Sequence, residues 1–173
     1  MPELAQVRKP REPPAQWPLG IFIAIVWICW DLTAKAEIED FLAESPGHRQ
    51  ELLPALDLSL SYDQAPWPTG ALLASLLAAT ALLVLLFRVR RTLPAVAISL
   101  GLGGFLGDLL DQLPDQQLTH FIEFRPFGII VPSFNFSEVG IAVCGLFLAS
   151  EGLLWVVRKT LSQRPGPARK SRR

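Results

Sequence analysis

Four stretches of this chain stay apolar long enough to cross a bilayer. A hydrocarbon core about 30 Å thick needs about 20 residues at a helical rise of about 1.5 Å each. Thr69 to Phe87 (TGALLASLLAATALLVLLF) carries no charge at all. Trp17 to about Ala36 opens with Trp and Pro and reaches Asp31 and Lys35 only near its far end. Leu93 to about Leu110 contains glycines at 101, 103, 104 and 107, which let helix backbones approach closely. Val139 to Val157 is the fourth, with Glu151 close enough to the basic tail to snorkel or pair there. Between the first two spans, DLSLSYD (57–63) alternates apolar and polar residues as a half-exposed strand does. The connection that holds it, 37–68, is too long to be a plain linker. The pattern predicts an all-α membrane protein: a four-transmembrane-helix bundle with a small extracytoplasmic β-containing insert lying on the membrane. Residues 1–16 then form a cytoplasmic N-terminal segment, 17–158 the membrane domain, and 159–173 a basic cytoplasmic tail.

Charge orients these spans. The 173 residues sum to a net charge of zero, yet Lys and Arg gather at Arg8, Lys9 and Arg11, at Arg88, Arg90 and Arg91, and from Arg158 to Arg173. Acidic residues fill the alternate connections, 37–68 and 111–138. Positive clusters next to apolar spans mark the cytoplasmic side, so both ends face the cytoplasm. Because they flank spans and lack interleaved aromatics, these clusters argue against nucleic-acid binding. The tail after Thr160 (LSQRPGPARKSRR) reads as disordered and held on anionic lipid. Cys29 and Cys144 both sit in apolar segments and read as small packing residues. Residues 17–36 also read as a secretory signal peptide, with Ala34-Lys35-Ala36 as its cleavage site. Asp31 and Lys35 are poor neighbours for such a site and the apolar core begins far from the N-terminus, so an uncleaved first span is expected.

Ionisable residues at a membrane edge are costly and signal function. Here they gather at one level. Asp31 ends span 1, Asp63 precedes span 2, and Asp108 and Asp111 end span 3. His120 lies in the second outer loop, and Asn135 and Glu138 lead into span 4. For Asp31, Asp57 and Asp115 taken singly, helix capping or simple solvation explains the residue; the set together does not reduce to that.

The spacing resembles the lipoprotein signal peptidase (signal peptidase II) family of bacterial intramembrane aspartic peptidases, over nearly the whole chain from Trp17 to about Val157. Its G-G-x-x-G-N-x-x-D-R motif stands here as Gly103-Gly104-Phe105-Leu106-Gly107-Asp108-Leu109-Leu110-Asp111-Gln112. Its V-V-D-F-I motif is matched by Leu118-Thr119-His120-Phe121-Ile122, and F-N-x-A-D by Phe134-Asn135-Phe136-Ser137-Glu138. The D-x-x-x-K of the first span is Asp31 to Lys35, and N-x-G-A-A-F is weakly echoed by Asp63-Gln64-Ala65-Pro66-Trp67. The resemblance implies a bacterial cytoplasmic membrane, a prolipoprotein or other lipid-modified peptide as partner, no cofactor and no metal.

It also places the family's catalytic aspartates at His120 and Glu138, and its substrate-binding residues at Asn135, Asp108, Asp111, Gln112 and Asp63. An aspartic peptidase needs two carboxylates close enough to share one proton. Histidine with glutamate tends instead to form an imidazolium–carboxylate pair, which has no shared proton. The arginine position holds Gln112, which removes a charged donor. Three outcomes follow. The chain is a non-catalytic relative that still binds a lipoprotein. Or it is an active peptidase with His120 as base or a relocated carboxylate at Asp108 or Asp111. Or it is a membrane scaffold with no enzymatic role. A metal site drawn from His120, Glu138, Asp108 and Asp111 would suit zinc or manganese, but one histidine is thin support for it.

Overall fold

The computed structural model describes residues 14–44, 49–63, 69–114, 117–129 and 131–162. The first basic cluster, residues 64–67 of the motif echo, Asp115 and the tail beyond 162 lie outside the described residues. Four helices form: α1 (Trp17–Ala43), α2 (Thr69–Arg88), α3 (Thr92–Asp111) and α4 (Phe136–Ser162). All four are long and apolar enough to span a membrane. α1 outruns its apolar stretch by two turns, because Ala34 to Ala43 contains no Gly or Pro and its Glu, Lys, Leu and Ala residues are good helix formers.

α3 lies at the centre. It packs on α1 and α4 along most of its length and carries α2 on another side, while α2 and α1 meet only slightly. Glycine makes the two main contacts close. A side chain at Gly104 would collide with the Ser137 carbonyl of α4, and one at Gly140 with the Leu100 carbonyl of α3. The half of the bundle nearest Trp17, Arg88 and Thr92 is filled by Ala24, Ala79, Leu82, Leu86, Ala95, Ile98, Leu102 and Cys144. These are small or branched apolar groups without a polar partner to satisfy. Large apolar residues such as Phe22, Leu77 and Leu146 point outward, as lipid-facing positions require.

At the opposite end sits a three-stranded antiparallel sheet in the order β1 (Arg49–Leu53), β2 (Leu56–Asp63), β3 (Leu118–Phe124). β2 contains the alternating 57–63 segment. β3 comes from the connection between α3 and α4, so the insert is assembled from two loops. Its first four residues are buried on both faces, which erases the alternation that reveals a strand. The sheet is two-faced at its far end. Leu53 pairs with Leu56, and Leu56 with Phe124, on one side. Asp57 pairs with Glu51 and Glu123 on the other, where Arg49 and Arg125 join them. A short turn, Pro126–Gly128, follows, with Phe127 in the left-handed region at φ 54° and fully exposed. The chain then returns to α4 through an isolated bridge between Ile122 and Phe134.

Candidate functional site

The site lies where the C-terminal halves of α1 and α3, the start of α4 and the first residues of β3 converge. Asn135 builds its frame. It is fully buried and precedes the first residue of α4, and its side-chain oxygen accepts from the Glu138 N–H at 2.9 Å. In return the Glu138 carboxylate accepts from the Asn135 N–H at 3.2 Å. This reciprocal capping box satisfies two helix-end donors at once. The Asn135 side-chain nitrogen donates to Asp108 at 3.2 Å and to the Thr119 carbonyl at 3.1 Å, which joins α4 to α3 and β3.

Lys35 builds the base. Its ammonium is buried and lies 2.7 Å from Asp31, 3.0 Å from Asp111 and 3.5 Å from Asp108. Each of those carboxylates is engaged elsewhere. Asp31 accepts from the Ser137 N–H at 2.9 Å and its hydroxyl at 2.8 Å, so it does cap a helix, but α4 rather than its own. Asp111 accepts from the Thr119 N–H at 2.9 Å and thereby fixes the start of β3. Burying a charge is tolerable only with such pairing and hydrogen bonding. The ammonium occupies the space between the three aspartates that a metal cation would need. Among the described residues, no three His, Cys, Asp or Glu side chains come together as metal ligands.

His120 and Glu138 face each other above this base. His120 Nε2 lies 3.4 Å from Glu138 Oε1. The imidazole is 10% exposed and the carboxylate 39%, so Glu138 forms the open wall and His120 the inner one. An aromatic row centred on Phe136 joins α1, β3 and the start of α4. Phe121 meets it edge-on at 5.2 Å between ring centres, Trp30 at 6.2 Å and Trp27 at 6.5 Å. Gln112 is buried at the end of α3, and its side-chain nitrogen has no hydrogen-bond partner among the described residues. Asp63 pairs with Leu118 across β2 and β3, and its side chain lies outside what is described.

Five of the seven residues singled out in the sequence thus share one network: His120, Glu138, Asn135, Asp108 and Asp111. Gln112 adjoins it and Asp63 enters only through the backbone ladder. Lys35, Asp31, Ser137 and Thr119 carry more of the geometry than the sequence assigned to them. The signal available for the first two was an acid and a base one helical turn apart inside a span. For Ser137 and Thr119 there was none. A second polar cleft of about 450 Å³ lies at the far end of the sheet, beside Arg49, Asp57 and Arg125. There the hydrogen bond to Asp57 raises the Arg49 guanidinium above its ordinary pKa. Asp57 and Glu123 there are paired with Arg49 and Arg125.

The family model for signal peptidase (SPase) II matches residues 23–154. The chain belongs to the signal peptidase II family. A lipoprotein signal peptidase of Coxiella burnetii (strain Dugway 5J108-111) is 30% identical over 150 residues, covering 76% of this chain and 86% of that protein. Another, of Hydrogenovibrio crunogenus, is 26% identical over 144 residues, covering 73% and 83%. Two solved structures described as bacterial membrane enzymes, at 1.9 and 2.3 Å resolution, share the fold. The first superposes with a TM-score of 0.69 at 21% identity, covering 83% of this chain and 97% of that one. The second gives 0.72 at 17%, covering 91% and 98%. The fold of this chain is thus shared with both solved structures, and the polar network lies inside the region that the family model matches.

Proposed function

We propose that this member of the signal peptidase II family binds a lipid-modified peptide, a diacylated prolipoprotein, at the His120–Glu138 site, and that its peptidase chemistry is lost or altered. The observation that carries this is the state of Glu138. One carboxylate oxygen is held by the Asn135 N–H and the other faces an imidazole at 3.4 Å, not a second carboxyl. A proton-sharing dyad needs two carboxylates in that relation. Here His120 and Glu138 stand at the positions that the motif resemblance assigns to the aspartate pair. Asp108 and Asp111 make a poor relocated dyad, since both lean on Lys35. The same 3.4 Å contact supports one second reading, in which Glu138 orients His120 as a general base on water.

The orientation follows from the same reading. Arg88, Arg91, Arg158 and Lys159 lie at or next to one set of helix ends, and the sheet lies at the other, so both chain ends face the cytoplasm of a bacterial inner membrane. The tail residues Arg164, Arg169, Lys170, Arg172 and Arg173 then rest on anionic lipid.

The test is a diacylated prolipoprotein presented to the purified chain in liposomes, with binding and cleavage both read. Wild type binds without cleaving. Combining His120→Asp and Glu138→Asp with Asp108→Asn and Gln112→Arg yields cleavage, and either aspartate alone yields little, because a dyad acts as a unit. Rapid cleavage by wild type that His120→Ala abolishes would establish the histidine-base reading instead. Absence of binding would refute the proposal outright.

A further inference from the structure

A diacylated peptide held at this site faces a geometric demand. Its acyl chains are covalently tied to the peptide, and they must stay in outer-leaflet hydrocarbon while the backbone sits at His120 and Glu138. The outer half of α1 meets that demand. Val26, Cys29, Trp30, Thr33 and Ala34 recur at the three- and four-residue spacing of one helix face, and they line an open groove of about 430 Å³. Its walls are mainly apolar, with the Thr33 hydroxyl and Cys29 thiol as small polar exceptions. The groove flanks Asp31, whose carboxylate seats the start of α4, so its depth is that of the site's base.

It is also continuous with the site. Trp30 forms a groove wall and meets Phe136 edge-on at 6.2 Å; Phe136 meets Phe121 at 5.2 Å. Phe136 lies between Asn135 and Glu138 in the chain, and Phe121 follows His120. One aromatic row therefore runs from the lipid-facing groove to β3 and the start of α4, the two elements that carry His120 and Glu138. We propose that this α1 groove holds an acyl chain of the bound lipopeptide, with Trp30 and Phe136 as the wall that separates lipid from the peptide site. This rests on the lipopeptide-binding reading above and adds a location to it. An acyl chain already in hydrocarbon gains nothing by leaving water. The benefit of the groove is close packing and a fixed position for the attached peptide.

Cys29 is exposed and Cys144 is buried, so the unmutated chain carries a usable handle. The experiment uses the full chain in nanodiscs and a diacylated peptide with a photoreactive group midway along one acyl chain. Crosslinks are expected between residues 26 and 34, and an excess of unlabelled lipopeptide should displace a photoreactive phospholipid from the same segment. Alkylating Cys29 with a long-chain maleimide, or replacing it by Cys29→Trp, should weaken the diacylated peptide about tenfold and leave the same peptide without acyl chains unchanged. Crosslinks on α2 or α3, or spread evenly over the helices, would overturn the groove. So would phospholipid labelling that the lipopeptide does not disturb, or equal effects of blocking Cys29 on both peptides. Binding with any of those patterns sinks the groove alone, whereas an unmodified chain that binds no diacylated peptide sinks the groove and the function together.

Discussion

The two ends of the bundle are held by opposite means. Near Trp17, Arg88 and Thr92 the helices meet through alanine, leucine and isoleucine, and among the described residues no buried group there carries a charge. Near Asp31 and Asp108 the same helices meet through an ammonium, three carboxylates, an amide and a hydroxyl. The apolar end tolerates changes of volume within limits, because each contact is small and non-directional. The polar end is an interdependent set, in which removing one member leaves the others buried and unanswered. A membrane bundle could be closed by the first kind alone. The second kind fixes where β3 and the start of α4 sit relative to α1, and that is what positions His120 opposite Glu138.

The sharpest way to break this contrast is Lys35→Met. It leaves three carboxylates without their shared cation, and the loss should be about 3–5 kcal/mol, read as a collapse of thermal stability in detergent. A normal melting curve would show that the network is not cooperative. Next is Gly104→Leu, which drives a side chain into the Ser137 carbonyl and should cost about 1–3 kcal/mol. Ser137 is also the residue that Asp31 caps, so this change should disturb the polar end as well as helix packing, although glycine reads from sequence as a packing device only. Gly145→Leu, where nothing lies within 4 Å of an added Cβ, should be neutral in the same assay, and a comparable loss there would remove the steric argument. Asn135→Ala removes half the capping box and a partner of Asp108, for about 1–2 kcal/mol. Its telling readout is a histidine resonance that shifts at His120 while the apolar core stays unperturbed. Smallest is Tyr62→Phe, which deletes the exposed 2.6 Å bond to Glu39 and should change stability by no more than about 1 kcal/mol.

How far the sequence reached depended on the kind of signal. The spans were plain because each apolar run exceeds what a bilayer demands, and β2 was visible because it alternates. β3 was hidden because Leu118, Thr119, His120 and Phe121 are buried on both sides, so their side chains carry no two-residue rhythm. In the site, charge and spacing exposed Asp108, Asp111, His120, Asn135 and Glu138. Ser137 and Thr119 stayed invisible, since a small hydroxyl residue in a loop or helix start has many ordinary uses. The hub role of Lys35 was beyond reach for a different reason. Asp31 is one turn away on its own helix, but Asp108 and Asp111 lie on α3, and only the folded bundle brings them within 3.5 Å of the ammonium.

The pairing of Asp31 with Lys35 also bears on how the chain enters the membrane. The two lie four residues apart on α1 and meet at 2.7 Å within that one helix. A lone charged residue in a nascent span raises the cost of insertion by about 2.5–3.5 kcal/mol at the helix centre. A segment whose acid and base neutralise each other across a single turn can leave the translocation channel before any other helix has been synthesised. α3 then arrives with Asp108 and Asp111, and finds the ammonium already in place. α4 comes last, its Asn135 and Ser137 meeting acceptors on both earlier helices. Synthesis from the N-terminus thus places the Asp31–Lys35 pair on α1 before the aspartates of α3 and the hydrogen-bond donors of α4 have been made.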